Sequence, residues 1–174
     1  MFDILKLFCD ITLFRKAPQD VPFSPLLTRF TLIAYAVISF LMLFMGSRWF
    51  SSLLQMAADV LFLMMFVRVS LAWVHKPERY QQTFCAMLGT DALITLYAIP
   101  AAAVMLIPNA SLGILALLLI VGLMLWHWAV IAHILSHALG QNLGFSLGLA
   151  LLYVMSAYML SSLLFSPAAS GVAH

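Results

Sequence analysis

Five stretches of about 20 apolar residues, separated by short polar breaks, dominate this sequence and decide what it can fold into. The hydrocarbon core of a bilayer is about 30 Å thick and a helix rises about 1.5 Å per residue, so each stretch is long enough to cross it. Of the 174 residues, 65% are hydrophobic and 8% are charged, and the mean hydropathy is +1.10. A soluble domain is about 25% charged. A chain this short leaves much of its surface exposed and could not hide so much apolar side chain from water. These features exclude a cytosolic enzyme, a secreted disulfide scaffold and a disordered chain. The expected fold class is an all-α membrane protein with five transmembrane helices.

The expected spans cover residues 24–45, 49–73, 83–107, 111–139 and 145–165. Ser24 and Pro25 suit the N-cap and first helical position of the first span. Pro100 should kink the third, because it leaves the carbonyl of Leu96 without its helical partner. The connections are too short to hold a soluble domain. Any chemistry must therefore lie in the membrane, at its surface or on a partner.

Residues 1–23 form an expected interfacial helix and linker. Asp3, Lys6 and Asp10 fall on one narrow stripe, and Met1, Phe2, Ile4, Leu5, Leu7, Phe8 and Ile11 cover the rest. That pattern suits a helix lying in the interface plane with its polar edge toward water. It is not expected to be a cleaved signal peptide, because no small-residue cleavage site follows it. Residues 24–166 form the five-helix domain, and residues 167–174 a short tail.

The basic residues orient the chain. With the N-terminus cytoplasmic, Lys6, Arg15, Lys16, Arg29, Arg68, Lys76 and Arg79 all fall on or toward the cytoplasmic side, leaving Arg48 alone outside. This asymmetry predicts an N-in, C-out topology. Trp49 and Trp73 are separated by about 36 Å of helix and suit the two aromatic belts of the second span.

Asp59 and Asp91 are the sharpest features. A carboxylate within a span is costly and normally faces the bundle interior or a wet cavity. Each can be read as a proton- or ion-handling group, or as a neutral or paired group that locks helices together. The second reading is preferred, because a proton path needs a chain of polar partners. Arg68 and Asp91 both lie roughly 10 Å inside the cytoplasmic ends of adjacent spans, which makes them an expected ion pair, with snorkelling of Arg68 as the alternative. Asp59 has no basic residue at its level. Its neutral acid form is expected, with Tyr35 as hydrogen-bond partner.

His127, His133 and His137 crowd the end of the fourth span. His133 and His137 share a helical face and, with His75 from the cytoplasmic loop, form the candidate metal group. The alternative is that they are interfacial histidines beside Trp126 and Trp128. Buried bis-histidine haem is disfavoured, since the histidines within spans all lie on one helix. No cofactor is expected. Gly140, Gly144 and Gly148 form a small-residue face suited to close helix packing, within the monomer or in a homodimer. Cys9 and Cys85 form no CxxC pair, which argues against a dithiol oxidoreductase. No nucleotide loop, nucleophile elbow or metalloprotease motif occurs, so no catalytic residue is assigned. The net charge of +2 is too small to suggest nucleic acid. The expected partners are the lipid bilayer and other membrane proteins.

Two stretches carry a family resemblance. One is Arg79-Tyr80-Gln81-Gln82-Thr83-Phe84 with Tyr97-Ala98-Ile99-Pro100, and the other runs from Trp126 through His133 to Gly140. With the five-span layout, they resemble the Yip family of small polytopic membrane proteins in its short bacterial form. The resemblance covers about a third of the chain. It implies a cytoplasmic N-terminus, a far-side C-terminus and a bacterial inner-membrane location, and it supplies no catalytic residues. The long cytoplasmic tail of eukaryotic members, linked to membrane traffic and small GTPases, has no counterpart in these residues. The expected role is a non-enzymatic scaffold or adaptor. The alternatives are a proton- or ion-coupled transporter or channel component using Asp59 and Asp91, and a metal-binding membrane enzyme at the histidines.

Overall fold

Ser24 starts the first long helix as its sequence suggests: the Leu27 amide donates to Ser24 Oγ at 3.3 Å and Pro25 takes the first turn, where no amide proton is needed. A computed structural model describes residues 2–46, 48–107 and 110–165. The C-terminal tail at residues 167–174 lies outside them. The elements are α1 (Phe2–Thr12), α2 (Pro25–Phe44), α3 (Trp49–Trp73), α4 (Tyr80–Met105), α5 (Ala110–Leu139) and α6 (Leu143–Phe165). Five of these, α2 to α6, are long and apolar enough to cross a membrane.

Short connections make successive helices run in opposite directions. The starts of α2, α4 and α6 and the ends of α3 and α5 therefore share one end of the bundle, called here the basic end. The middle of the bundle is α4. Residues 83–94 are buried without a break, as required of a helix contacted by α1, α2, α3 and α5. The outer helices show the reverse of a soluble pattern. Large apolar side chains such as Phe30, Met65, Leu118 and Leu163 face outward. A helix apolar on its outer face suits lipid. Pro100 sits on an exposed part of α4, which continues through it.

The basic end is closed by backbone accounting. A helix leaves its last carbonyls without intrahelical donors, and buried ones must find others. On α5, the Ser136 carbonyl accepts from the Gly140 and Gln141 amides. The His137 carbonyl accepts from Gln19 Nε2 and Arg79 Nη1, and the Ala138 carbonyl accepts from the same Arg79 nitrogen. The Leu139 carbonyl accepts from Lys76 Nζ at 2.8 Å. Two cations thus cap the negative end of the helix dipole. Three helices end at residues in the left-handed region: Phe14 (φ 60°), His75 (φ 57°) and Gly140 (φ 68°). Only the last is glycine, the residue that adopts this conformation without strain.

The N-terminal segment is packed into this framework. Leu7, Phe8, Ile11 and Thr12 are buried, while Asp3, Ile4, Leu5 and Lys6 are exposed. Phe8 lies against Gly89 of α4, where an added Cβ would overlap the ring. Trp126 Nε1 donates to the Thr12 carbonyl at 3.0 Å, and Gln82 Nε2 donates to the carbonyls of Gln19 and Val21.

The glycine face behaves differently from the expected within-chain packing. A Cβ added at Gly148 meets nothing within 4 Å, and at Gly144 it meets only Asn142 Oδ1 at 3.8 Å. Among the described residues no other helix crosses closely at Gly144 or Gly148. Instead, α5 and α6 are tied by Trp128 Nε1 donating to the Leu147 carbonyl. Gly140 ends α5 and leaves room for Lys76, whose Nζ lies 2.6 Å from the position of an added Cβ.

Candidate polar site in the helix bundle

Asp91 lies in the buried run of α4, and its carboxylate needs a donor. Facing it from α5 is His127, whose Nε2 stands 2.7 Å from Asp91 Oδ1. This is the one ion pair among the described residues. The two partners differ in access. The Asp91 side chain is 7% exposed and that of His127 is 30% exposed. One end of the pair is sealed in the core and the other reaches the outside of the bundle.

Other polar groups gather around it. Tyr35 on α2 and Tyr153 on α6 are buried, and Asp59 on α3 is half-buried. Tyr35 lies within electrostatic range of both Asp59 and Asp91, and so does Tyr153. The two carboxyl groups are also within range of each other. Ser39, one turn beyond Tyr35, is also buried. Each of the five long helices therefore contributes one member: Tyr35, Asp59, Asp91, His127 and Tyr153. Tyr153 is held by aromatic packing from α3, with ring centroids 4.8 Å from Phe66 and 5.7 Å from Phe62. A hydrogen bond between Gln55 and Ser161 links the same two helices.

The expected partners are rearranged. Arg68 is exposed on α3 and makes no ion pair with Asp91. The residue count along adjacent antiparallel helices suggested the pair, but Arg68 is exposed while Asp91 is buried. Tyr35 and Asp59 come near each other as expected, yet no hydrogen bond joins them among the described residues. His127, placed by its sequence among interfacial histidines, is the residue that pairs with Asp91. Depth could have found it: Asp91 and His127 lie at similar distances from the α4–α5 turn.

The candidate metal group is not assembled. Among the described residues no three His, Cys, Asp or Glu side chains come together. The His133 and His137 rings approach to 4.4 Å, but His75 does not join them. His133 Nε2 bonds the Lys16 carbonyl, and His137 Nδ1 bonds the His133 carbonyl. These ring nitrogens are used in holding the backbone, which leaves no convergent ligand set.

An Asp–His contact of this length is a charge-assisted hydrogen bond in which a proton can reside on either partner. The arrangement suits proton exchange and contains no activated nucleophile. No protein-family model matches the chain, and no curated protein or solved structure matches it.

Proposed function

We propose that this chain is an integral membrane protein that handles protons: a transporter or channel component in which Asp91 and His127 exchange the proton and Asp59 extends the path. The observation that carries this reading is the 2.7 Å contact of Asp91 and His127 between two of the long apolar helices, with one partner sealed in the bundle and the other reaching its outside. Intramembrane ionisable groups that face a bundle interior and have polar neighbours are characteristic of proton relays. The connections between the five long helices are short, which directs attention to the bundle itself. The basic asymmetry supports an N-in, C-out orientation. The Yip-like layout supports placement in a bacterial inner membrane, with α1 at its cytoplasmic interface.

The test is proton flux into liposomes carrying the purified protein and an internal pH-sensitive dye, under an imposed membrane potential. Asp91→Asn and His127→Gln should each lower flux strongly, and Asp59→Asn should lower it in part. Flux equal to that of empty liposomes for the unaltered protein rejects the reading.

The scaffold reading retains one specific support, the sealed position of Asp91, which suits a helix lock. Under it, Asp91→Asn should leave copurified membrane partners and cellular function unchanged wherever the variant is stably folded.

A further inference from the structure

The seam between α3 and α6 is fixed by contacts at two levels. Gln55 Nε2 donates to Ser161 Oγ near the end of the bundle where α3 begins. Farther in, the Tyr153 ring packs against Phe62 and Phe66. Gln55, Asp59, Phe62 and Phe66 follow helical spacing and share one face of α3. Tyr153, Ala157 and Ser161 do the same on α6. The two helices run in opposite directions, so Asp59 comes to the level of Ala157, between the two contacts. A methyl side chain there leaves the carboxyl room. Asp59 makes no hydrogen bond or ion pair with another described residue. No fully buried side-chain oxygen lacks a partner among the described residues. The Asp59 oxygens are therefore reached from outside the packed core.

We infer that Asp59 is the entry carboxyl of the proton path, reached from the end opposite the basic end, with Gln55 and Ser161 as the gate across that route. The inference rests on the proton-handling reading above. Burial along α3 gives the direction. Gln55 and Asp59 are half-buried, whereas Leu63 and Val67, one and two turns nearer the basic end, are 0% exposed. Those two residues, with Tyr153 against its two phenylalanines, seal the inward side of the seam. Outward of Asp59 the seam is held by the Gln55–Ser161 bond, about 9 Å inside the start of α3 by helical rise. Both gate groups are neutral. Parting them strands no charge in the bundle, as parting an ion pair would. The freed amide and hydroxyl can each bond water. A hydronium ion that passes them gives its proton to the Asp59 carboxylate and leaves as water.

The experiment needs no change at Asp59. Right-side-out and inside-out membrane vesicles holding the full chain are treated with a membrane-impermeant quaternary carbodiimide and glycinamide, which convert a reachable carboxyl to an amide. Trypsin then releases residues 49–68, whose one acidic side chain is Asp59, and residues 69–79, whose one acidic side chain is Glu78 at the basic end. Mass spectrometry should find Asp59 and Glu78 modified from opposite sides. A second arm carries Gln55→Cys and Ser161→Cys, with Cys9→Ser and Cys85→Ser, and bridges the new pair with a short bis-methanethiosulfonate. The bridge should slow Asp59 modification at least about tenfold, because reactivity scales with the fraction of open molecules. It should leave Glu78 unchanged, and dithiothreitol should reverse it. The proposal is overturned if Asp59 is modified from the Glu78 side, or from neither side by the polar reagent. Modification by lipid-soluble dicyclohexylcarbodiimide alone would place the carboxyl against lipid and overturn it too. So would a pair that cannot be bridged, or a bridge without effect. Proton flux at the level of empty liposomes, with the sidedness intact, is the separate signature of a failed proton reading.

Discussion

The Asp91 carboxylate meets the His127 imidazole at 2.7 Å across the contact between α4 and α5, from opposite degrees of exposure. Removing one member leaves the other without its partner in a place where water does not fully replace it. Asp91→Ala and His127→Ala should each destabilise the protein by about 2–4 kcal/mol. The double substitution should cost clearly less than the sum. A double-mutant cycle from thermal unfolding in mild detergent measures this. A coupling of about 1 kcal/mol or more supports a working pair, and strict additivity rejects it.

The helices and their order were legible because a bilayer allows few solutions: about 20 apolar residues between polar breaks form a span. Ser24 and Pro25, and the tryptophans at the ends of α3, marked boundaries that the structure reproduces. What was not legible was rotation of each helix about its axis. Spans that are apolar on nearly every side carry little periodicity to say which face turns inward. Hence Arg68, expected to pair with Asp91, is exposed, while His127, expected among interfacial histidines, is the partner of Asp91. Gly89 was missed for a related reason. Its role depends on Phe8, which lies far away in sequence and reaches α4 only after the N-terminal helix has docked.

That docking makes a prediction. Gly89→Ala places a methyl group where the Phe8 ring lies. Because Phe8 is buried, the ring must move and carry α1 away from α4. The expected loss is about 1–3 kcal/mol, the usual range for overpacking, accompanied by faster proteolysis within residues 2–23. Phe8→Ala in the same chain should remove the clash and restore protection less completely, since its own packing is lost. Unchanged proteolysis in Gly89→Ala would show that α1 is not held by this contact.

Topology can be tested at the connections. Reporter fusions placed at Lys76 and at Gln141 should report the same side of the membrane, because the ends of α3 and α5 share one end of the bundle. A fusion at Gly46 should report the other. The positive-inside bias of the basic residues predicts a cytoplasmic signal at Lys76. Opposite signals from Lys76 and Gln141 would contradict the antiparallel order of α4 and α5. A Lys76 on the far side of the membrane from the cytoplasm would leave the fold intact and reverse the orientation.

The left-handed helix ends predict opposite signs for two glycine substitutions. His75 ends α3 with φ 57°, and its amide and that of Lys76 donate to the carbonyls of Ala72 and Leu71. This is a Schellman arrangement with a non-glycine residue at the strained position. Its Cβ costs roughly 1 kcal/mol there. The side chain is exposed and makes no hydrogen bond to another described residue, so His75→Gly should raise stability by up to about 1 kcal/mol. Gly140 is the converse case. It has φ 68° and sits beside Lys76 Nζ. Gly140→Ala should pay the left-handed strain and also push Lys76 from the Leu139 carbonyl it caps, for a loss of about 1–2 kcal/mol. Thermal unfolding of both variants in the same detergent decides the matter. A stabilised Gly140→Ala, or a destabilised His75→Gly, would mean that contacts beyond the backbone govern these ends.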